Sequence, residues 1–158
     1  MMPKPGAGLL LLACSVGQAW GGSAPQLELA RLDGAAFVRL SELPKRPLVL
    51  NFWRSDCPPC VAEMPLLNQQ ARRYTEVVFI GIATEEAARA RRFLATHPVD
   101  YLQLLAPSAA EGLMRRFGNK TGALPYTVVL NSQHQICQTQ TGPVNAAWLA
   151  QTLAACGP

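Results

Sequence analysis

The run Leu48-Val49-Leu50-Asn51-Phe52-Trp53 leads within a few residues into Cys57-Pro58-Pro59-Cys60. This junction limits what the chain can fold into more than any other stretch. A short, nearly continuous apolar run suits a strand buried on both faces, as in a parallel sheet. Beyond the cysteines, Val61, Met64, Leu67, Ala71 and Tyr74 recur at helical spacing. A second strand-like run follows from Glu76 to Ile82, rich in β-branched residues. Strand, helix and strand at this spacing predict a βαβ unit with a right-handed crossover. The cysteine pair then lies where the first strand ends and the helix begins.

Three chemistries compete for such a pair. A structural zinc site needs four ligands. Cys137 and Cys156 form no second close pair, and His97 and His134 are isolated. A purely structural Cys57–Cys60 disulfide would close a very small loop, where the entropy removed from the unfolded chain is least. Reactivity explains the location better. Backbone N–H groups at a helix start lack internal partners, and the dipole there favours negative charge. A thiolate at Cys57 is therefore stabilised. Cys60, one turn on, should be more buried and less acidic. Pro58 and Pro59 cost no hydrogen bond in a first turn and stiffen the loop. Pro65 lies deeper and is expected to kink the helix. Glu63, three residues after Cys60, shares its side of the helix and could take its proton; the plainer reading is an exposed first-turn glutamate. Pro125, opening a strand in Gly122-Ala123-Leu124-Pro125-Tyr126, reads from spacing alone as a turn proline.

Elsewhere the chain alternates further. Residues 20 to 47 read as a lead-in with a turn at Asp33-Gly34 and a short strand from Phe37 to Leu40. Thr84 is expected to cap a second helix, with Glu85 and Glu86 near its positive end. Ser108 to Glu111 has capping-box spacing for a third helix, and Gly118 suits its end. Tyr126–Leu130 and Gln135–Gln140 predict a hairpin through Asn131-Ser132, and Asn145 a cap for a last helix.

The chain has 158 residues, enough for one domain with a real core, and its formal net charge is +4. The arginines, such as Arg72-Arg73 and Arg115-Arg116, are spread over predicted helices as solvated faces. No basic stripe with interleaved aromatics argues for nucleic acid. Residues 1–24 differ from the rest: Lys4, then Leu9-Leu10-Leu11-Leu12-Ala13, then small residues. This is a secretory leader pattern, too short in its apolar part to span a bilayer. Two processing routes stay open. One is cleavage after Ala19. The other is lipidation of Cys14 in a lipoprotein box, the only membrane association expected. Either route delivers the remaining domain, residues 25–158, to an oxidising compartment.

The stretch "VLNFWRSDCPPCVAEMP" and the later "GALPYTVVL" together resemble the thioredoxin fold, and most closely the exported bacterial TlpA/ResA-type thiol–disulfide oxidoreductases. The resemblance covers about residues 27 to 156. It implies a three-layer α/β/α sandwich around a central mixed sheet, with an N-terminal extension. It implies that Cys57 is the nucleophile, that Cys60 resolves and that Glu63 serves Cys60. Pro125 would be cis against the disulfide and Leu124 would pair with the extended substrate, with Trp53 and Pro58 also on the substrate side. Thioredoxins carry a buried aspartate where this chain has Asn51, which shifts proton handling toward Glu63. The family's usual tryptophan before the first cysteine is here Asp56, whose charge opposes a thiolate unless Arg54 offsets it. Cys137 and Cys156 are either a second, structural disulfide or two buried free thiols. No metal or other cofactor is expected.

The implied function is thiol–disulfide exchange outside the cytoplasm, as a monomer that reduces client proteins. Apocytochromes and copper-site proteins are the expected clients, and a membrane donor of the DsbD/CcdA type would recharge the pair. The alternatives are an oxidant that donates disulfides and a metallochaperone-like module that holds copper on the pair.

Overall fold

The computed structural model describes residues 24–157. The leader, the cleavage site after Ala19 and Cys14 lie outside the described residues. Leu48–Trp53 forms β3, flanked by β4 (Val78–Ala83) and β6 (Tyr126–Leu130). Beyond β4 come β5 (Leu102–Leu105), β1 (Glu28–Arg31) and β2 (Phe37–Arg39), and beyond β6 comes β7 (Ile136–Thr141). β3, β4 and β5 run parallel, and the remaining pairings are antiparallel. The sheet is therefore mixed, and its parallel centre is covered on both faces.

Strand alternation resolves the continuous apolar run of β3 into two faces. Leu48, Leu50 and Phe52 join Ile80, Ile82, Leu104, Tyr126 and Val128 in one core. That core is closed by α3 (Ala110–Arg116), through Leu113 and Met114, and by Leu27, Leu29 and Leu40. Val49 packs on the opposite face with Leu67 of α1 (Pro58–Arg73) and Leu149 of α4 (Ala146–Cys156). At the end of β3 on that same side, Trp53 packs with Cys60, Met64, Ala83 and Ala90 of α2 (Ala87–Thr96). Asn51 therefore faces α1 from the middle of the sheet.

Several local expectations are corrected. β1 is a full member of the sheet, where the sequence showed only a lead-in. Thr84 does not cap α2: its hydroxyl donates to the Trp53 carbonyl, and Glu86 is the N-cap residue without a side-chain bond. The capping box at Ser108 does not form, because α3 starts after Ala109. Gly118 does end α3, with a φ of 104° that side chains disfavour. Asn145 caps α4 by accepting from the Trp148 N–H at 2.9 Å. Several exposed arginines face carboxylates, as in Arg31–Asp33, Arg39–Glu28, Arg72–Asp100 and Arg115–Glu111.

Cys137 of β7 and Cys156 of α4 are joined in a disulfide, tying the last helix to the edge strand. Loop-closure entropy for a separation of 19 residues predicts a contribution of about 3 kcal/mol. Urea unfolding of the Cys137→Ser/Cys156→Ser protein should lose about that much stability. An unchanged midpoint would mean that the bond contributes nothing.

Candidate redox site

Cys57 is the N-cap residue of α1, in an extended conformation, and its sulfur accepts from the Cys60 N–H at 3.3 Å. Pro58 and Pro59 occupy the first helical positions, where their missing N–H groups go unmissed. The two sulfurs are bonded in this structure, with Cα atoms 5.2 Å apart. Cys57 is half-buried and Cys60 fully buried, so one sulfur meets solvent and the other waits behind it. The helix N-terminus gives the outer sulfur the environment that stabilises a thiolate.

Glu63 is not the exposed first-turn glutamate of the plainer reading. It is 4% exposed, beneath α1. One carboxylate oxygen accepts from Asn51 Nδ2 at 2.8 Å and the other from the Val144 N–H at 2.8 Å. Asn51 Nδ2 also donates to Thr127 Oγ1 at 3.0 Å. Burial pushes the Glu63 pKa above its ordinary 4.5, and the Val144 and Asn51 bonds pull against it without cancelling it. Desolvating a carboxylate costs several kcal/mol, and two charge-assisted bonds return about 1.5–3 kcal/mol each, so a residual upward push is the expected balance. Two of the four acceptor positions on the carboxylate are used, leaving room for a proton from Cys60, three residues earlier on the same helix.

Leu124–Pro125 is the cis peptide bond of the chain's described residues. Leu124 is half-buried and packs into the cluster that holds Cys57 and Cys60. The loop that delivers it is built on Asn119. This buried side chain donates to the Ala123 carbonyl at 2.8 Å and accepts from the N–H groups of Thr121 and Gly122. Trp53 is fully buried behind the pair, tilted against Phe93, with its indole N–H donating to Gln103 Oε1 at 2.9 Å. It offers support from below and no surface for a client, which corrects the placement expected from the sequence. A side chain at Gly81, which pairs with Asn51 across β3 and β4, would overlap the Gln103 amide.

The structure thus brings Cys57, Cys60, Glu63, Pro58, Leu124 and Pro125 to one end of the sheet. Cys137 and Cys156 lie elsewhere. Ile136 pairs with Leu130, and Leu130 with Leu48 at the start of β3, the end remote from Cys57. Sequence reasoning missed Asn119 and read Glu85 only as a helix-end residue, where it is buried and accepts from the Ser55 N–H and hydroxyl. Both act through contacts that spacing along the chain does not display, although the Asn119-to-Gly122 turn composition was a signal for the first. Among the described residues, no group of three His, Cys, Asp or Glu side chains is placed to hold a metal ion.

The raised Glu63 pKa carries a sign for stability. Between the unfolded and folded values the native state binds more protons than the unfolded chain, so this group's stabilisation is present below about pH 4.5 and is lost as pH rises through the folded value. The stability of the wild type relative to Glu63→Gln should therefore fall with rising pH, by at most about 1.4 kcal/mol per pH unit, and then level off. Chemical denaturation at several pH values checks this; a difference independent of pH would contradict it.

Comparison with known proteins agrees with this geometry. The model of the Redoxin family matches residues 19–153. The thiol–disulfide oxidoreductase ResA of Halalkalibacterium halodurans is 28% identical over 125 residues, covering 77% of this chain and 68% of that protein. The soluble secreted antigen MPT53 of Mycobacterium tuberculosis is 36% identical over 80 residues, half of this chain and 46% of the antigen. The crystal structure of a thioredoxin-related protein from Neisseria meningitidis serogroup B superposes with a TM-score of 0.72 at 31% identity, covering 82% of this chain and 98% of that one. With a cysteine pair on the first turn of α1 and a cis-proline loop beside it, the chain belongs to the Redoxin family and is a thioredoxin-like thiol–disulfide oxidoreductase.

Proposed function

We propose that this protein reduces disulfides of exported client proteins, with Cys57 attacking, Cys60 resolving and Glu63 taking the proton from Cys60. The observation that carries the reading is the buried Glu63 carboxylate, one helical turn from a fully buried Cys60 and held by Asn51 and Val144. A buried thiol is a poor nucleophile until something accepts its proton, and among the described residues the other buried carboxylate, Glu85, is engaged by Ser55 instead.

The steps balance as follows. The Cys57 thiolate attacks one sulfur of the client disulfide, forming a mixed disulfide and releasing the other client sulfur as a thiolate. Cys60 gives its proton to Glu63 and attacks the Cys57 sulfur. The Cys57–Cys60 bond forms, the mixed disulfide breaks, and the client leaves with two electrons. A membrane dithiol donor of the DsbD/CcdA type then reduces the pair. Leu124, ahead of the cis proline and packed in the cluster that holds Cys57, would offer its backbone to an extended client strand, with the exposed Pro58 also on the client side. Trp53 shapes the floor of the site.

Export is supported by the leader pattern in residues 1–24 and by the secreted relative. No helix among the described residues is long and apolar enough to cross a membrane. Lipidation at Cys14 would supply an anchor. Apocytochromes and copper-site proteins fit as clients because the haem-attaching cysteines of the first and the copper-ligating cysteines of the second must be reduced before loading.

The test separates the two chemical steps. Cys60→Ser should accumulate a stable Cys57-linked mixed disulfide with a peptide disulfide, visible by mass, and Cys57→Ser should form none. Glu63→Gln should leave the first attack nearly unchanged and slow release by about 10²-fold or more. Equal slowing of both steps would remove Glu63 from the proton path.

A further inference from the structure

Asp56 stands directly before the attacking cysteine, and a bare carboxylate there would oppose the thiolate. The structure does not leave it bare. Asp56 Oδ2 faces Arg54 Nη2 at 3.0 Å and Arg89 Nη2 at 3.2 Å. Arg54 belongs to the same loop, but Arg89 comes from α2, across the site. Its position is set by Glu85, whose side chain is 3% exposed and forms an ion pair with Arg89 Nε at 3.2 Å. The same Glu85 carboxylate accepts the Ser55 N–H at 2.7 Å and the Ser55 hydroxyl at 2.8 Å. One buried group on the segment leading into α2 therefore grips both the loop that carries Asp56 and the arginine that neutralises it.

We propose that Arg89, anchored by Glu85, is a positioning residue for the exchange reaction: it covers the Asp56 carboxylate and so keeps Cys57 available as a thiolate. The proposal rests on the reading of Cys57 as the attacking sulfur. Within the group the charges sum to zero, Asp56 and Glu85 against Arg54 and Arg89. Glutamine at position 89 would leave Asp56 with one arginine and the loop with a net negative charge beside the sulfur. Other charged groups lie on the elements packed here, Glu86 and Arg92 of the α2 segment among them, and three have partners of their own. Glu63 of α1 is bonded to Asn51 and Val144, Arg31 is paired with Asp33, and Arg91 of α2 donates to the Leu32 carbonyl. The residues of the cis-proline loop nearest the pair, Ala123 and Leu124, are uncharged, with Lys120 earlier in that loop.

The experiment follows alkylation of Cys57 in the reduced protein against pH, using iodoacetamide and peptide mass to read that cysteine alone. Arg89 is half-exposed, so its replacement does not threaten the core. Arg89→Gln should raise the pH midpoint, slowing alkylation on the acid side by about three- to tenfold. Arg89→Lys, which restores the charge, should stay near the wild type. In an Asp56→Asn background, Arg89→Gln should shift nothing, because the carboxylate it covers is gone. A midpoint unmoved in Arg89→Gln, a lysine variant that behaves like the glutamine one, or an equal shift without Asp56 would each overturn the proposal. No client is present in this assay, so it answers separately from the mixed-disulfide trap that tests the exchange reading.

Discussion

A carboxylate buried in an otherwise apolar core must be tied down, and the ties on Glu63 define how this molecule is assembled. Asn51 reaches it from the centre of β3, and the Val144 N–H reaches it from the segment entering α4. The bonds join α1, the sheet and the start of the last helix around one charge. They require β3 to present Asn51 on the α1 face, which in turn sends Leu50 and Phe52 to the opposite core. A one-residue slip in that strand would bury an apolar side chain against Glu63 and turn Asn51 into the other core. The register that makes the fold is thus the register that holds the buried Glu63 carboxylate.

The two charged groups around the cysteines work on different scales. Glu63 is buried, and its protonation is coupled to the stability of the whole domain. The Asp56 cluster is half-exposed, and ion pairs of that kind contribute only about 0–1 kcal/mol to stability. One pKa unit at a thiol is also only about 1.4 kcal/mol. A contact too weak to matter for folding is therefore strong enough to set how much of Cys57 is a thiolate. The charge of Asp56 beside Cys57 is met by two arginines rather than by packing.

The chain made its centre legible and its margins less so. β3, α1 and β4 could be read because a continuous apolar run, a helical period and a β-branched run follow one another without ambiguity. The cysteine pair could be read because helix starts have only a few uses for sulfur. β1 was missed because Glu28–Arg31 is short and only half-buried, so it shows little period. Thr84 and Ser108 were misread for a shared reason: a capping residue is recognised by local spacing, but Thr84 is engaged by the Trp53 carbonyl and α3 begins beyond Ser108. The burial of Glu63, the grip of Glu85 on Ser55 and the loop built on Asn119 depend on partners brought together by the sheet or by the turn geometry. Periodicity does not report such contacts.

The reduction potential of the Cys57–Cys60 couple tests the central claim most directly. It is measured by equilibrating the purified domain with thiol buffers and reading this pair by peptide mass, apart from Cys137–Cys156. A client reductant should lie at the low end, near the roughly −270 mV of thioredoxin. A value near the roughly −120 mV of a strong disulfide donor such as DsbA would contradict the reductase account.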